Sequence, residues 1–323
     1  MKNFLQTELN SQNIEIIKLK GYDNSNYLVK VDDGKKILKT YEYNEELFDL
    51  IAAESEVLLL LHGKDNNQFP IPIPFSDGSF VKVENFEGQR LICRLLSFLE
   101  GEFMGDVIST KEMYKSFGNF VAKLDLKFQD IKNSTIELRK SRWDIQYYHY
   151  NKDYINDISD VKDREIVLYF FKQFEENALP IMKNLRKSII HNDANEWNTL
   201  VTGNCVSGII DFGDLVYSQL INDLAIAITY ACFGKSNPLE WASIIITSYH
   251  KILPLKKDEI SILYYIVAMR LCVSYVNAAH SKKENPENIY AASSIEPVKK
   301  MLNIWIKISP TFAEKQFMEA IKI

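Results

Sequence analysis

The chain has 323 residues, 46% hydrophobic and 25% charged, which is ample for a buried core and more than the commonest single domain needs. Forty-three acidic residues against 38 basic ones leave a net charge of −5, with both signs scattered along the chain. No basic stripe of the kind that tracks a phosphate backbone is present, which excludes nucleic acid as a partner, and the mild acidity reads as a solvated surface.

The first ten residues, MKNFLQTELN, carry no apolar run of the signal-peptide kind. Short β-prone runs at 27–31 and 36–41 flank Asp32-Asp33-Gly34, a hairpin turn. A helix is predicted over 45–61, stopped by His62-Gly63. The Pro-rich stretch 69–74 reads as extended, and strands at 80–83 and 91–96 complete a small antiparallel sheet. After Gly101 the spacing turns helical, over 111–129, 162–185, 221–232, 239–252, 258–279 and 290–306, interrupted only by short strands within 188–212. The most apolar stretch, 260–276, carries Ser261, Arg270 and Ser274 and falls short of the roughly 20 apolar residues a bilayer needs, so it reads as a buried helix. Cys93, Cys205, Cys232 and Cys272 show no C-x-x-C spacing and read as buried free thiols. The expectation is a cytoplasmic α+β protein with no membrane partner. It has a β-rich N-terminal lobe at 1–97 and a larger, mainly helical lobe at 98–323, hinged near 97–101.

The most informative stretch is IIHNDANEWNTLVTGNCVSGIIDFGD, residues 189–214. It follows the pattern H-x-D, four residues and Asn, and then Asp-Phe-Gly, which is that of a phosphoryl-transfer catalytic loop. Residues 199–201 and 206–210 are β-prone, with Thr202-Gly203-Asn204 as a turn between them. A hairpin would set Asn198, before its first strand, beside Asp211, after its second. Two oxygen ligands at one end of a hairpin suit one or two Mg²⁺ ions. Asp193 would accept the hydroxyl proton and orient the attacking oxygen.

The small lobe offers a counterpart. Lys39 lies inside a strand, where a cation needs a purpose or a solvent face. Glu54 shares a helix face with Leu50, Val57, Leu58 and Leu61, where a carboxylate is costly unless paired. A Lys39–Glu54 ion pair, with Lys39 reaching the nucleotide phosphates, accounts for both. Glu56 is the rival for the carboxylate, and a solvated edge-strand lysine is the competing reading of Lys39. No G-x-G-x-x-G loop is present. The turn 21–26 could cover phosphates through backbone N–H groups and the side chains of Ser25 and Asn26, or be an ordinary hairpin turn.

Three features exclude a protein acceptor: Asn192 stands where a protein kinase has Arg, no Ala-Pro-Glu follows the metal segment, and the next helix begins about eight residues after Gly213. The segments HNDANEWN, IIDFGDLVYS and NDLAIAITYA, with the Lys39 strand, the Glu54 helix, Trp143-Asp144, the 270–278 helix and Pro286-Glu287-Asn288, resemble the aminoglycoside phosphotransferase and choline kinase superfamily. Within it the chain is most similar to the hydroxylysine kinase branch. The resemblance covers most of the chain and implies a protein-kinase-like bilobal fold, ATP or GTP as donor with Mg²⁺, and a hydroxyl on a small amine-bearing molecule as acceptor. Carried over, Asp193 takes the place of the base, Asn198 and Asp211 of the magnesium ligands, and Lys39 and Glu54 of the phosphate-binding pair. Asp223 matches an aspartate that steadies the catalytic loop. The hinge near Ser97 and Leu99 would receive adenine or guanine through backbone groups. Gly often follows the catalytic-loop His in these families; Asn192 departs from that.

Substrate candidates rest on single features. Arg270, Ser274 and Asn277 share a face of an otherwise apolar helix, so Arg270 awaits either a substrate carboxylate or a structural ion pair. Asp144 and Asp214 are candidates for an amine-binding acidic patch, and Trp197 for a pocket wall or the core. The expected activity is transfer of a phosphoryl group to 5-hydroxylysine or a related hydroxy-amino acid. Homoserine, choline, ethanolamine and aminoglycoside or macrolide antibiotics are the other acceptors of the superfamily. A nucleotide-binding pseudokinase is the reading outside the enzyme class, disfavoured because Lys39, Asp193, Asn198 and Asp211 are all present.

Overall fold

The computed structural model describes residues 1–19, 25–63, 68–286 and 289–322, with side chains for all of these except 289–294. They form two compact units: Met1–Gly101 with Asn133–Ile136 and Gly208–Gly213, and Glu102–Lys132 with Glu137–Ser207 and Asp214–Ile323.

The first unit holds α1 (Lys2–Glu8), β1 (Glu15–Lys18), β2 (Ser25–Val31), β3 (Gly34–Glu42), α2 (Glu45–His62), β4 (Pro72–Ile73), β5 (Lys82–Phe86) and β6 (Gln89–Ser97). Its antiparallel sheet runs β1-β2-β3-β6-β4, with β5 on β6. The β2–β3 hairpin closes at Gly34, whose φ of +128° is a conformation other residues rarely adopt. Alternation of side chains then sorts the sheet by face. Val29, Leu38, Cys93 and Leu95 pack with Leu5, Ile14 and Phe75, while Ile92 packs on the other side with Ile51 of α2. On that second face Lys39 stands directly opposite Asn26 on one neighbouring strand and Arg94 on the other. Asn44 caps α2 by accepting the Leu47 N–H, and Glu45 and Glu46 occupy the first turn, where the helix dipole favours anions.

The second unit contains β7 (Glu102–Phe103), α3 (Lys111–Phe128), the end of α4 (Ser134–Leu138), α5 (Val161–Gln173), α6 (Leu179–Met182), β8 (Lys187–Ile190), β9 (Thr199–Thr202), the start of β10 (Cys205–Ile209), β11 (Val216–Gln219), α7 (Ile221–Ala231), α8 (Pro238–Ile252), α9 (Lys257–Glu284), α10 (Ile289–Trp305) and α11 (Pro310–Ala320). β9 lies between β10 and β7, and β8 pairs antiparallel with β11. Gly118 lets α3 approach α8, since a Cβ there would lie 2.4 Å from the Ile245 carbonyl oxygen. α9 is long and apolar enough to cross a membrane, but 89% of its apolar window is buried within the protein, as befits a core helix.

The fold is the α+β arrangement expected, with three local differences. The expected helix over 162–185 is broken by a π-helical turn at Phe174–Ala178 before α6, where Pro180 supplies a first-turn residue without an N–H. A 3₁₀ segment at Ile145–Asp157, capped by Asp144, occupies a stretch with no clear periodicity. Cys205 is exposed rather than buried; all four cysteines are free.

Candidate active site

In the second unit, β8 delivers the chain into residues 191–198 and β9 carries it away. Asp223, in the first turn of α7, is fully buried and accepts the backbone N–H of His191 on Oδ2 at 3.1 Å and that of Asn192 on Oδ1 at 2.7 Å. These bonds hold Asn192 at a φ of +65°. That left-handed conformation explains why glycine suits this position and why asparagine, with its short polar side chain, is the usual substitute. Both polar atoms of the Asn192 side chain are buried without a hydrogen-bond partner among the described residues, so the backbone, not the amide, fixes the choice. Asn192→Gly is therefore expected to be more stable than Asn192→Ala by about 1–2 kcal/mol in denaturant unfolding, because both lose the amide and only alanine meets the left-handed strain. Equal stabilities would remove the backbone explanation.

Asp193 follows, its side chain about one-fifth exposed. Its Oδ2 accepts from Asn195 Nδ2 at 3.0 Å and Asn198 Nδ2 at 2.7 Å, and its Oδ1 from a terminal nitrogen of Arg270 at 3.0 Å. Asn198 also donates to the Asp193 carbonyl at 3.0 Å. With its amide nitrogen engaged twice, Asn198 keeps its carbonyl oxygen, a hard oxygen donor of the kind Mg²⁺ and Ca²⁺ take. Asn195 Oδ1 accepts the N–H groups of Trp197 and Asn198 and so folds the loop on itself.

Arg270 is buried in α9 with its side chain 2% exposed. Besides Asp193 it donates to Tyr230 Oη at 3.2 Å and to the Trp143 carbonyl at 3.0 Å, and both aromatic rings lie 5.4 Å from it. Burial works against its charge, yet Tyr230, Asp193 and Asp214 together hold its pKa above the ordinary arginine value. Of the two partners the sequence left open for Arg270, the structure supplies an ion pair within the protein. Asp214, partly exposed, is tied to the same cation. Asp144 is fully buried, and its carboxylate takes the N–H and side-chain amide of Gln146 and the Ser218 hydroxyl. Burial raises its pKa against those bonds. It anchors the 3₁₀ segment, and no face of it is left for a substrate amine; the acidic-patch expectation for Asp144 is corrected on that ground. Trp197 is 46% exposed, against Phe103 and Gly105, so it belongs to the surface and not to the core.

In the first unit, Lys39 Nζ lies 2.7 Å from Asp211 Oδ1, and Glu54 Oε2 lies 2.9 Å from Arg94 Nη1. Lys39 thus meets Asp211, and Glu54 meets Arg94 on the adjacent strand, a cation that the pairing expected from sequence did not include. Burial opposes the Lys39 charge, but Asp211 raises its pKa above the usual lysine value. Between the two rival carboxylates, Glu54 is buried and Glu56 is exposed and bonded to Asn133. Asp211 sits at a φ of +63° with its side chain 42% exposed, so one oxygen meets Lys39 while the carboxylate stays open to solvent. Such an acid fits a divalent cation. Asn26 Oδ1 is buried and lacks a partner among the described residues, and the Ser25 carbonyl accepts from Thr40. Residues 20–24 of the expected phosphate-covering turn, and Glu287 and Asn288, lie outside the described residues. At the hinge the Ser97 N–H is engaged by the Ile71 carbonyl and the Ser97 hydroxyl by the Ile71 N–H. Leu99 packs near Gly208, where a Cβ would meet its side chain at 3.3 Å.

Sequence reasoning missed Arg94 and Asn195. For Arg94 the signal was a cation within an apolar strand run, Cys93-Arg94-Leu95. Asn195 is indistinguishable in sequence from any polar loop residue, and its Asx turn and its bond to Asp193 give it a role.

An antiparallel sheet unit joined to a helical unit, with a His-x-Asp loop between β8 and β9 and Asp-Phe-Gly after β10, defines a protein-kinase-like fold. Residues 15–256 match the phosphotransferase enzyme family APH, and the chain belongs to that family. It is a small-molecule kinase, a phosphotransferase with a hydroxyl as acceptor. The hydroxylysine kinase of Mus musculus is 25% identical over 298 residues, 85% of this chain and 79% of that protein. Among solved structures, a microcompartment-associated aminopropanol kinase superposes with a TM-score of 0.73 at 16% identity, covering 95% of this chain and 96% of its own. An amicoumacin kinase in complex with AMP-PNP and Ca²⁺ gives 0.67 at 14% identity, covering 91% and 89%.

Proposed function

We propose that the chain transfers the γ-phosphate of ATP or GTP to the hydroxyl of a small amine-bearing metabolite, with 5-hydroxylysine or a related hydroxy-amino acid as the acceptor. The observation that carries this is the setting of Asp193, a partly exposed carboxylate fixed by Asn195, Asn198 and Arg270. A carboxylate held this way can accept the acceptor's hydroxyl proton and aim its oxygen. Lys39 would meet the donor's phosphates, with Glu54 and Arg94 stiffening its strand face, and Ser25 and Asn26 would contribute from β2. Leu99, rather than Ser97, would offer the hinge N–H to the base. Asn198 and Asp211 are the oxygen donors that would hold Mg²⁺, which when bound neutralises charge on the transferring phosphoryl group. Likeness to hydroxylysine kinase, and to a kinase of an amino alcohol, supports the choice of acceptor. Asp214 and Trp197 are the remaining candidates to meet it. The four free thiols suit a reducing cytoplasmic setting.

The test is release of nucleoside diphosphate over a panel of 5-hydroxylysine, homoserine, amino alcohols and aminoglycosides, with ATP and with GTP. The expected result is turnover with a hydroxy-amino acid that stops with a chelator and returns with Mg²⁺. A panel on which antibiotics alone are turned over would overturn the metabolite reading.

A further inference from the structure

Beneath the loop lies a second carboxyl that the chemistry above does not use. Asp125 of α3 is fully buried, as are Asp223 of α7 and Tyr249 of α8. Tyr249 donates its hydroxyl to Asp125 Oδ2 at 2.5 Å. The other oxygen, Oδ1, meets no donor among the described residues, while Asp125 lies in side-chain hydrogen-bonding contact with Asp223. Asp223 already receives two backbone N–H groups, one on each oxygen, whereas Asp125 Oδ1 receives none among the described residues. Two carboxylates in contact within a dry interior repel unless a proton lies between them. Asp125 Oδ1 is the oxygen that no described donor meets, and burial pushes the Asp125 carboxyl up, so the proton resides on Asp125.

We propose that Asp125 is a positioning residue for the phosphoryl-transfer loop, donating a shared proton to Asp223 and thereby fixing the carboxylate that holds His191 and Asn192. A chain of hydrogen bonds then runs from Tyr249 through Asp125 to Asp223 and into the backbone that ends at Asp193. A further charge that acts on Asp125 is Arg186, whose guanidinium is held by Glu259 at 2.6 and 3.0 Å. Its charge opposes the proton on Asp125. Burial first, and Asp223 second, push the Asp125 carboxyl well above the ordinary range.

The sign of the pH effect follows. The folded chain keeps a proton that the unfolded chain releases above about pH 4, so the stability this group contributes is complete below that pH and is lost as pH rises toward the folded value. Wild type, Asp125→Asn and Asp125→Ala are compared by thermal unfolding from about pH 5 to pH 9 and by steady-state kinetics. An asparagine amide can donate to Asp223 without titrating. Its melting temperature should therefore gain on that of the wild type as pH rises, with kcat kept within about threefold. Alanine should lower kcat roughly tenfold or more with little change in KM, as expected of a misplaced loop. Parallel pH curves for wild type and Asp125→Asn would overturn the shared proton, and an unimpaired kcat in Asp125→Ala would overturn the positioning role. If the alanine variant does not fold, the asparagine comparison decides alone. The kinetic arm rests on Asp193 as the base, whereas the thermal arm needs no acceptor, so failure of either reading is seen separately.

Discussion

Asp193→Ala should lower turnover by about 10²–10⁴-fold, the usual scale for a positioned general base, while nucleotide still binds. The structure adds a further effect. Arg270 is buried, and removing its carboxylate partner leaves a cation hydrogen-bonded to Tyr230 and the Trp143 carbonyl, with the Asp214 charge still acting on it. Breaking a buried pair from one side costs about 3–5 kcal/mol when the remaining charge is uncompensated. Tyr230 and the two aromatic faces soften that, so the lower end of the range is expected. Asp193→Asn keeps an amide oxygen that accepts from Arg270 but no charge, and its nitrogen meets the Asn195 and Asn198 donors, so stability should return only in part while turnover stays low. Near-normal turnover in either variant would remove Asp193 from the chemistry. Measured together, unfolding and kcat distinguish a lost base from a damaged fold.

Arg270→Met should lower kcat by about 10–100-fold, because the Asp193 carboxylate loses the donor that fixes one of its two oxygens. The stability loss should be smaller than in Asp193→Ala, about 1–3 kcal/mol, since the group left behind is partly exposed and keeps two asparagine donors. The direction across substrates is the sharper part. A guanidinium committed to Asp193 acts on every acceptor alike, so kcat should fall equally for hydroxy-amino acids and for amino alcohols lacking a carboxylate. A KM rise confined to acceptors that carry a carboxylate would show instead that Arg270 binds that group. Arg270→Lys should recover little, because one ammonium cannot satisfy three partners in the plane of the guanidinium.

Long amphipathic and apolar segments were legible from spacing alone: α2, α3, α7, α8 and α9 all stand within a few residues of where the periodicity put them. The strands around residues 199–209 were legible too, since β-prone runs flank a turn whose Gly203 adopts a φ of +60°. The 3₁₀ segment at Ile145–Asp157 was not, because it is held by the single Asp144 cap and by contacts distant in sequence, without a repeating apolar face. The same limit governed the charges. Lys39 and Glu54 were singled out as costly where they stand, and both are buried, but which cation would take which carboxylate depends on cross-strand register. A one-residue slip there would move Arg94 to the opposite face, away from Glu54. Asp125 was invisible for a related reason: as a lone acid on an amphipathic helix, it reads as solvated until Tyr249 and Asp223 are packed around it.

Because Arg270 projects from the middle of a 28-residue buried helix, the geometry of Asp193 depends on how α9 is rotated about its own axis. Each residue turns a helix by about 100°, so even a small change of roll carries the guanidinium off its partner. In a saturation screen, volume-changing substitutions at Val267, Leu271 and Val273, all buried, should therefore enrich among catalytically weak but well-expressed clones.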